Sequence, residues 1–138
     1  MDSILVKFPL TIKAKLTEKL KESMLEEMRS NMQQAQLEIQ QINIQENRAV
    51  QEASEDGEPN PEALQMIHQH FGIERQKRQE FVQQTEARMN DTEKMVIGAE
   101  IVQGQTERFV ELKVGDNIRD QFNVEVVVED DKIIAIRS

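Results

Sequence analysis

Residues 3–17, SILVKFPLTIKAKLT, contain the change of pattern that decides the fold. Alternate side chains from Ile4 to Ala14 are apolar, and most of the side chains between them are polar or lysine. This period of two predicts one long strand with a buried face. Pro9 has no N–H, so we expect it at a bulge or on an unpaired edge. The strand-like sequence that follows residue 94 is expected to supply the partners of this strand.

A helical spacing of three and four residues replaces the alternation at Thr17. Thr17 is a suitable N-cap, and no Gly or Pro occurs between Pro9 and Gly57. The sequence therefore predicts one helix over residues 17–54.

The turn-forming residues 55–60 end this helix, and a second helix is predicted from Pro61 to Glu93. Asn60 is the expected N-cap of the second helix, and Pro61 suits its first position because that position needs no N–H. Two long helices joined by so short a turn are expected to lie antiparallel. Their shared seam contains Met, Ala, Thr and charged residues, which predicts a coiled coil of moderate stability.

Period two returns after Lys94, where turn signals separate four strand-like segments. These segments cover residues 95–103, 107–114, 122–129 and 132–137. Together with the first strand they make five, which is the number of strands in a small OB-like or SH3-like barrel. The predicted fold class is α+β, with a long antiparallel coiled-coil hairpin inserted between the first strand of a small five-stranded β-barrel and the other four. The predicted domains are residues 1–16 plus 94–138 for the barrel, and residues 17–93 for the hairpin, with its tip at 55–60.

The composition of the 138 residues limits the possible functions. The formal net charge is −9, and Lys7, Lys13 and Lys15 form the one cationic cluster that we identify. We therefore expect nucleic acid not to be a partner, since binding it requires many cations on one face. The absence of cysteine excludes disulfides and thiolate zinc sites. The apolar runs are far too short for a signal peptide or a membrane span, so we expect a cytoplasmic protein.

No pattern of residues indicates catalysis. His68 and His70 are the only histidines. Two residues apart on a helix, they lie about 200° round its axis from each other and cannot hold one metal ion together. No nucleophile motif and no glycine-rich phosphate loop is present. The sequence thus predicts a protein that is not an enzyme, with no catalytic residue, no cofactor and no metal.

The turn between the helices is acidic, with Glu55, Asp56 and Glu58 close together. Carboxylates at such a tip can present a metal ion to a distant partner. The arrangement is similar to the acidic coiled-coil tip that Gre-type transcript-cleavage factors use inside RNA polymerase, although those factors have no leading strand. A solvated turn is the simpler interpretation.

Several apolar residues of the first helix lie off its predicted seam. They are Leu25, Leu37, Ile44 and Val50. A helix that is apolar on more than one face usually has more than one neighbour. These residues are therefore the expected interface of a homo-oligomer, most simply a dimer that pairs through the first helix.

The order of the elements resembles the YlqD family of bacterial proteins, whose function is unassigned. The resemblance is carried by residues 8–17, FPLTIKAKLT, by residues 109–116, FVELKVGD, and by residues 126–136, VVVEDDKIIAI. It covers nearly the whole chain and implies no site residues. In some bacteria genes of this family lie near ribosome-maturation genes, which implies a link to translation or RNA.

Three functions follow from these observations, and the first is preferred. It is a structural or interaction protein, in which the barrel is an anchor and the hairpin an arm for an unknown protein partner or for self-association. The second is a ribosome- or RNA-associated factor that uses the barrel. The third is a factor directed to RNA polymerase, acting through the acidic tip.

Overall fold

The computed structural model describes residues 1–55, 57–58 and 60–138 as two helices and a four-stranded sheet. In chain order the elements are β1 (Ser3–Lys15), α1 (Glu18–Ala53), α2 (Pro61–Glu93), β2 (Glu100–Lys113), a short 3-10 helix (Ile118–Gln121), β3 (Glu125–Glu129) and β4 (Lys132–Arg137). The chain divides into two compact units. Met1–Glu22 and Met95–Ser138 form the sheet unit, and Ser23–Lys94 form the helical unit.

The first strand lies inside the sheet, whose order is β2-β1-β3-β4. It pairs antiparallel with β2 along its whole length and parallel with β3 over the four residues from Thr11 to Ala14. Strand β4 pairs antiparallel with β3. The alternating sequence at 4–15 thus finds its partners after residue 94, as predicted. Pro9 lies before the start of the β3 pairing, on an edge that is unpaired there.

The prediction of a five-stranded barrel is wrong, because the described residues form four strands in an open sheet. Residues 95–103 and 107–114 were expected to be two strands with a turn at Gly104. Most of them instead form the single strand β2. Ile12 pairs with Gly104 and Lys13 with Val102, so Gln103 is an extra residue opposite the partner strand. Glycine within a strand pattern marks a β-bulge as readily as a turn, and here it marks a bulge.

The core of the sheet unit is small. Its buried hydrophobic residues are Phe8, Ala14, Leu16 and Val127. The ring of Phe122 packs edge-on against Phe8 with centroids 5.6 Å apart. The side chain of Leu16 has no exposed surface. The backbone N–H of Leu16 donates to Ala99 O at 2.7 Å. This bond ties the end of β1 to the segment that leads into β2.

Both predicted helix caps are confirmed. Thr17 Oγ1 accepts from the N–H of Leu20 at 3.1 Å, and Asn60 Oδ1 accepts from the N–H of Glu62 at 3.0 Å. Each bond satisfies one of the N–H groups that the first turn of a helix leaves without a partner. Pro61 occupies the first turn of α2, as expected.

The two helices run antiparallel, as cross-helix ion pairs show. Arg78 of α2 pairs with Glu38 of α1, whereas Arg75, earlier in α2, pairs with Glu46, later in α1. The buried residues of each helix recur at intervals of seven. They are Met28, Ala35 and Ile42 in α1, and Thr85 and Thr92 in α2. This is the heptad spacing of a helix seam.

Candidate interaction surfaces

The outer face of α1 carries two exposed apolar side chains. Leu37 is 49% exposed and Ile44 is 59% exposed. Each lies two residues after a buried seam residue, Ala35 or Ile42, and therefore about 200° round the helix from it. Leu37 and Ile44 are also seven residues apart, so they form a short apolar stripe opposite the seam. This stripe is part of the interface predicted from the sequence.

The other two residues of that predicted interface lie differently, since both are half-buried. Leu25 comes three residues before Met28 and so lies about 60° from it, beside the seam. Val50 follows the half-buried Ala49. Leu25 thus lies beside the seam, and the stripe available to a partner centres on Leu37 and Ile44.

The middle of the seam is ionic. Arg78 Nη1 lies 2.6 Å from Glu74 Oε2, and Arg78 Nε lies 3.3 Å from Glu38 Oε2. The hydrogen bond from Arg78 and the positive charge of Lys77 lower the pKa of Glu74. A groove of about 340 Å³ lies beside Arg78 and is lined by residues of both helices, among them Ala35 of α1 and Phe81 of α2. Of the charged groups that line it, Arg78 bonds to Glu38 and Lys77 lies 3.5 Å from Glu74, so these groups form structural ion pairs.

A second ionic cluster joins the two edge strands of the sheet. Lys13 Nζ of β1 lies 2.8 Å from Glu125 Oε2 of β3. Arg137 of β4 pairs both with Glu125 and with Glu100, the first residue of β2. Lys13, followed by Arg137, lowers the pKa of Glu125, and Arg137 lowers that of Glu100. The sheet is open in its backbone ladder, but side chains connect its edges.

These ion pairs occupy the cationic face that gave the sequence its one indication of RNA binding. Lys13 is bound to Glu125, and Lys7 Nζ lies 3.8 Å from Glu107 Oε2. Lys15 lies directly opposite Glu100 in the ladder. Each lysine of the cluster thus has a carboxylate beside it, which leaves little uncompensated positive charge for phosphates.

The sheet unit exposes many apolar side chains, which the alternating sequence does not predict. On β1 and β2, Ile4 is 56% exposed, Leu5 is 64% exposed and Phe109 is 66% exposed. On β4, Ile133 and Ile136 are 64% and 70% exposed. The alternation correctly indicates which side chains share a face, but period two carries no information about whether that face is covered.

The described residues of the acidic tip and the two histidines do not converge on one site. Glu55 and Glu58 are exposed, and Asp56 lies outside the described residues. Over the part of the chain that the structure describes, no three potential metal ligands come together. His68 Nδ1 lies 3.5 Å from Glu46 Oε2, whereas His70 packs edge-on against Phe71, so the two histidines have separate surroundings.

Two antiparallel helices combined with a four-stranded open sheet define an α+β protein. The model of the YlqD family, described as "YlqD protein", matches residues 4–137, so the chain belongs to the YlqD family. No curated protein matches the sequence. The chain is similar to the crystal structure of a protein of unknown function from Synechococcus sp. WH 8102, with a TM-score of 0.83, 23% identity and 100% of both chains covered. At that identity the likeness shows the fold alone. None of the described helices is long and apolar enough to cross a membrane.

Proposed function

We propose that this protein is a non-catalytic, cytoplasmic interaction protein, in which the sheet unit is the anchor and the helix pair is the arm that binds protein. The observation that carries the proposal is the distribution of apolar side chains. Among the described residues, seven hydrophobic side chains are buried and eighteen large ones are exposed. Such an excess of exposed apolar surface is characteristic of proteins whose surface is completed by a partner.

The accessible surface area supports the same conclusion. The chain exposes 10431 Å² for a mass of 16.0 kDa. A folded monomer of this mass exposes roughly 7,400 Å². An interface of standard size removes about 800 Å² from each partner. The chain thus exposes roughly 3,000 Å² more than such a monomer, which is the area of more than one interface.

For the arm we propose self-association through the Leu37 and Ile44 stripe of α1. Both side chains are about half exposed, so each has roughly 1 kcal/mol to gain from burial. A two-fold axis across the stripe would place the same two residues of each chain in contact and form a four-helix arrangement. The net charge of −9 opposes this contact, and salt screens that repulsion.

Sedimentation velocity on the intact chain at tens of micromolar tests the stripe. The variant Leu37→Glu/Ile44→Glu is expected to have a lower mass than the wild type, because it places four carboxylates in the proposed contact. The control Gln69→Glu/Gln83→Glu adds the same charge to exposed positions of α2 and is expected to sediment like the wild type. Equal masses for the wild type and the α1 variant would exclude this contact.

The ribosome- or RNA-associated function has less support, because the three lysines that suggested it have carboxylate neighbours. Few phosphate contacts remain possible, so affinity should be weak and strongly dependent on salt. We expect no submicromolar binding to single-stranded or duplex RNA at about 150 mM salt, measured by fluorescence anisotropy. Submicromolar binding under those conditions would favour the RNA function instead. Nothing in the described geometry favours the polymerase-directed function, which depends on the acidic tip.

A further inference from the structure

The ribbon of β1 and β2 extends past the rest of the sheet. Strand β3 pairs with β1 only from Thr11 to Ala14, so among the described strands β2 alone lies beside the part of β1 from Ser3 to Leu10. An isolated two-stranded ribbon is marginally stable in water. This end of the sheet therefore has an open β1 edge, where a further strand can be added.

The direction of the N–H groups defines what that edge offers. The N–H of Thr11 donates to Val124 O at 3.2 Å, on the side of β1 that faces β3. Along a strand these groups alternate in direction, so those of Ser3, Leu5 and Lys7 point to the same side. The β3 ladder does not reach Leu5 or Lys7, and no turn or loop in the described part of the chain bonds to their amides. Pro9 also lies on that side and has no N–H, so it ends the row of donors.

Both faces of the ribbon end are apolar and exposed. Ile4 projects from one face and is 56% exposed, and Leu5 projects from the other and is 64% exposed. Val114, which follows β2, is 84% exposed. A strand that pairs with this edge would therefore cover apolar side chains on two faces as well as satisfying backbone groups.

We propose that the open edge of β1 binds the same edge of a second copy of this chain. The two copies of β1 lie antiparallel about a two-fold axis at Leu5. In this register Leu5 is opposite Leu5 of the partner subunit, and Ser3 is opposite Lys7 of the partner subunit. All three residues have outward backbone groups, so each opposed pair exchanges two hydrogen bonds. The result is a continuous sheet in the order β2-β1-β1-β2 across the two chains.

The edge is complementary to itself, which is the reason for assigning a second copy. On one face Ile4 meets Val6 of the partner subunit, and on the other the two leucines meet, so apolar side chains face apolar ones. No two like charges are directly opposite in this register. The pairing also ends where Pro9 ends the row of donors. Exposed edges in other proteins are usually protected by charge or by short length, and the segment around Leu5 has neither a charge at its centre nor a covering element in the sheet ladder.

This contact goes beyond the proposed function and does not depend on the α1 stripe. Two different two-fold contacts on one chain build an assembly larger than a dimer, whereas either contact alone gives a dimer. The two proposals therefore predict different masses for different variants.

The test is sedimentation equilibrium of the wild type, three variants and one control variant, supported by hydrogen exchange. Leu5→Lys places two ammonium groups at the two-fold axis and next to Lys7. Within the chain, position 5 lies opposite Glu111, so the fold tolerates the added cation. We expect wild type to exceed a dimer, Leu5→Lys and Leu37→Glu/Ile44→Glu each to be dimers of twice 16.0 kDa, and the combined variant to be a monomer. Ile133→Lys is the control, because Ile133 is 64% exposed, as Leu5 is, and lies outside the proposed contact. This substitution is expected to leave the mass unchanged.

Hydrogen exchange on the wild type provides a second measurement that does not require any variant to fold. The outward amides of Leu5 and Lys7 are expected to be protected at tens of micromolar and to lose protection on dilution.

The failures of the two proposals are distinguishable. If Leu5→Lys sediments like the wild type, or if the two amides exchange at the rate of a free edge at every concentration, the β1 contact is wrong. If only the α1 variant leaves the mass unchanged, the α1 contact is wrong and the β1 contact stands, with the wild type a dimer. A wild-type monomer at tens of micromolar overturns both.

Discussion

Arg137, near the C-terminal end of β4, is the residue whose role sequence reasoning missed most clearly. It bonds to Glu125 on the neighbouring strand and to Glu100 at the far edge of the sheet. Lys13 adds a third bond on the same side. The bonded partners are between 12 and 112 positions apart in the sequence, and no local pattern connects them. A contact of this kind depends on the curvature of the sheet, which the sequence does not display.

The cluster makes stability depend on acid pH. Because the pKa values of Glu100 and Glu125 are lowered, the folded state favours their charged forms. Their contribution is thus fully present above the ordinary carboxyl pKa of about 4.3 and is lost as the pH falls through the lowered values. We expect Glu125→Gln to have a lower Tm than the wild type at pH 6 to 8, by a constant difference, and the two Tm values to begin to converge as the pH falls below about 4.

Thermal unfolding followed by circular dichroism measures this difference. Glu111→Gln, at an exposed position of β2, is the matched control and should change the Tm little at any of these values. A difference for Glu125→Gln that persists unchanged below about pH 3 would show that the carboxylate charge is not the cause.

At the scale of elements, the helices were predicted well because their signals are local. Thr17 and Asn60 each cap a helix through a side chain and a backbone group within three residues. The strands were predicted less well at Gly104, where the same residue type is compatible with a turn or with a bulge. The long register of β1 with β2 decides between them, and that register is a property of two distant segments.

The cap at Thr17 gives a prediction for α1. Its hydroxyl accepts from Leu20 N–H and donates to Asp130 Oδ1 at 2.8 Å, so it links the helix start to the turn before β4. Thr17→Ala is expected to lower the free energy of unfolding by about 1 kcal/mol, as loss of an N-cap usually does. Thr17→Ser keeps the hydroxyl and should retain most of that stability. Urea denaturation compares the three proteins, and equal losses for Ala and Ser would contradict a capping role.

At the scale of the whole molecule, the exposed apolar area is the property that the sequence indicated only in part. Leu37 and Ile44 were recognised because a helix seam has a definite width, and residues outside it stand out. Ile4, Leu5 and Ile133 were not, because an alternating strand has the same appearance whether its apolar face is covered or open. How much of the apolar surface remains open is therefore a result of the tertiary arrangement.

The measurement that tests the central claim most directly is the mass of the intact wild-type protein in solution. Sedimentation equilibrium between about one and one hundred micromolar, at moderate salt, covers the range in which interfaces of standard size assemble. The account predicts a mass above 16.0 kDa that rises with concentration. A mass of 16.0 kDa throughout that range would contradict self-association through either surface.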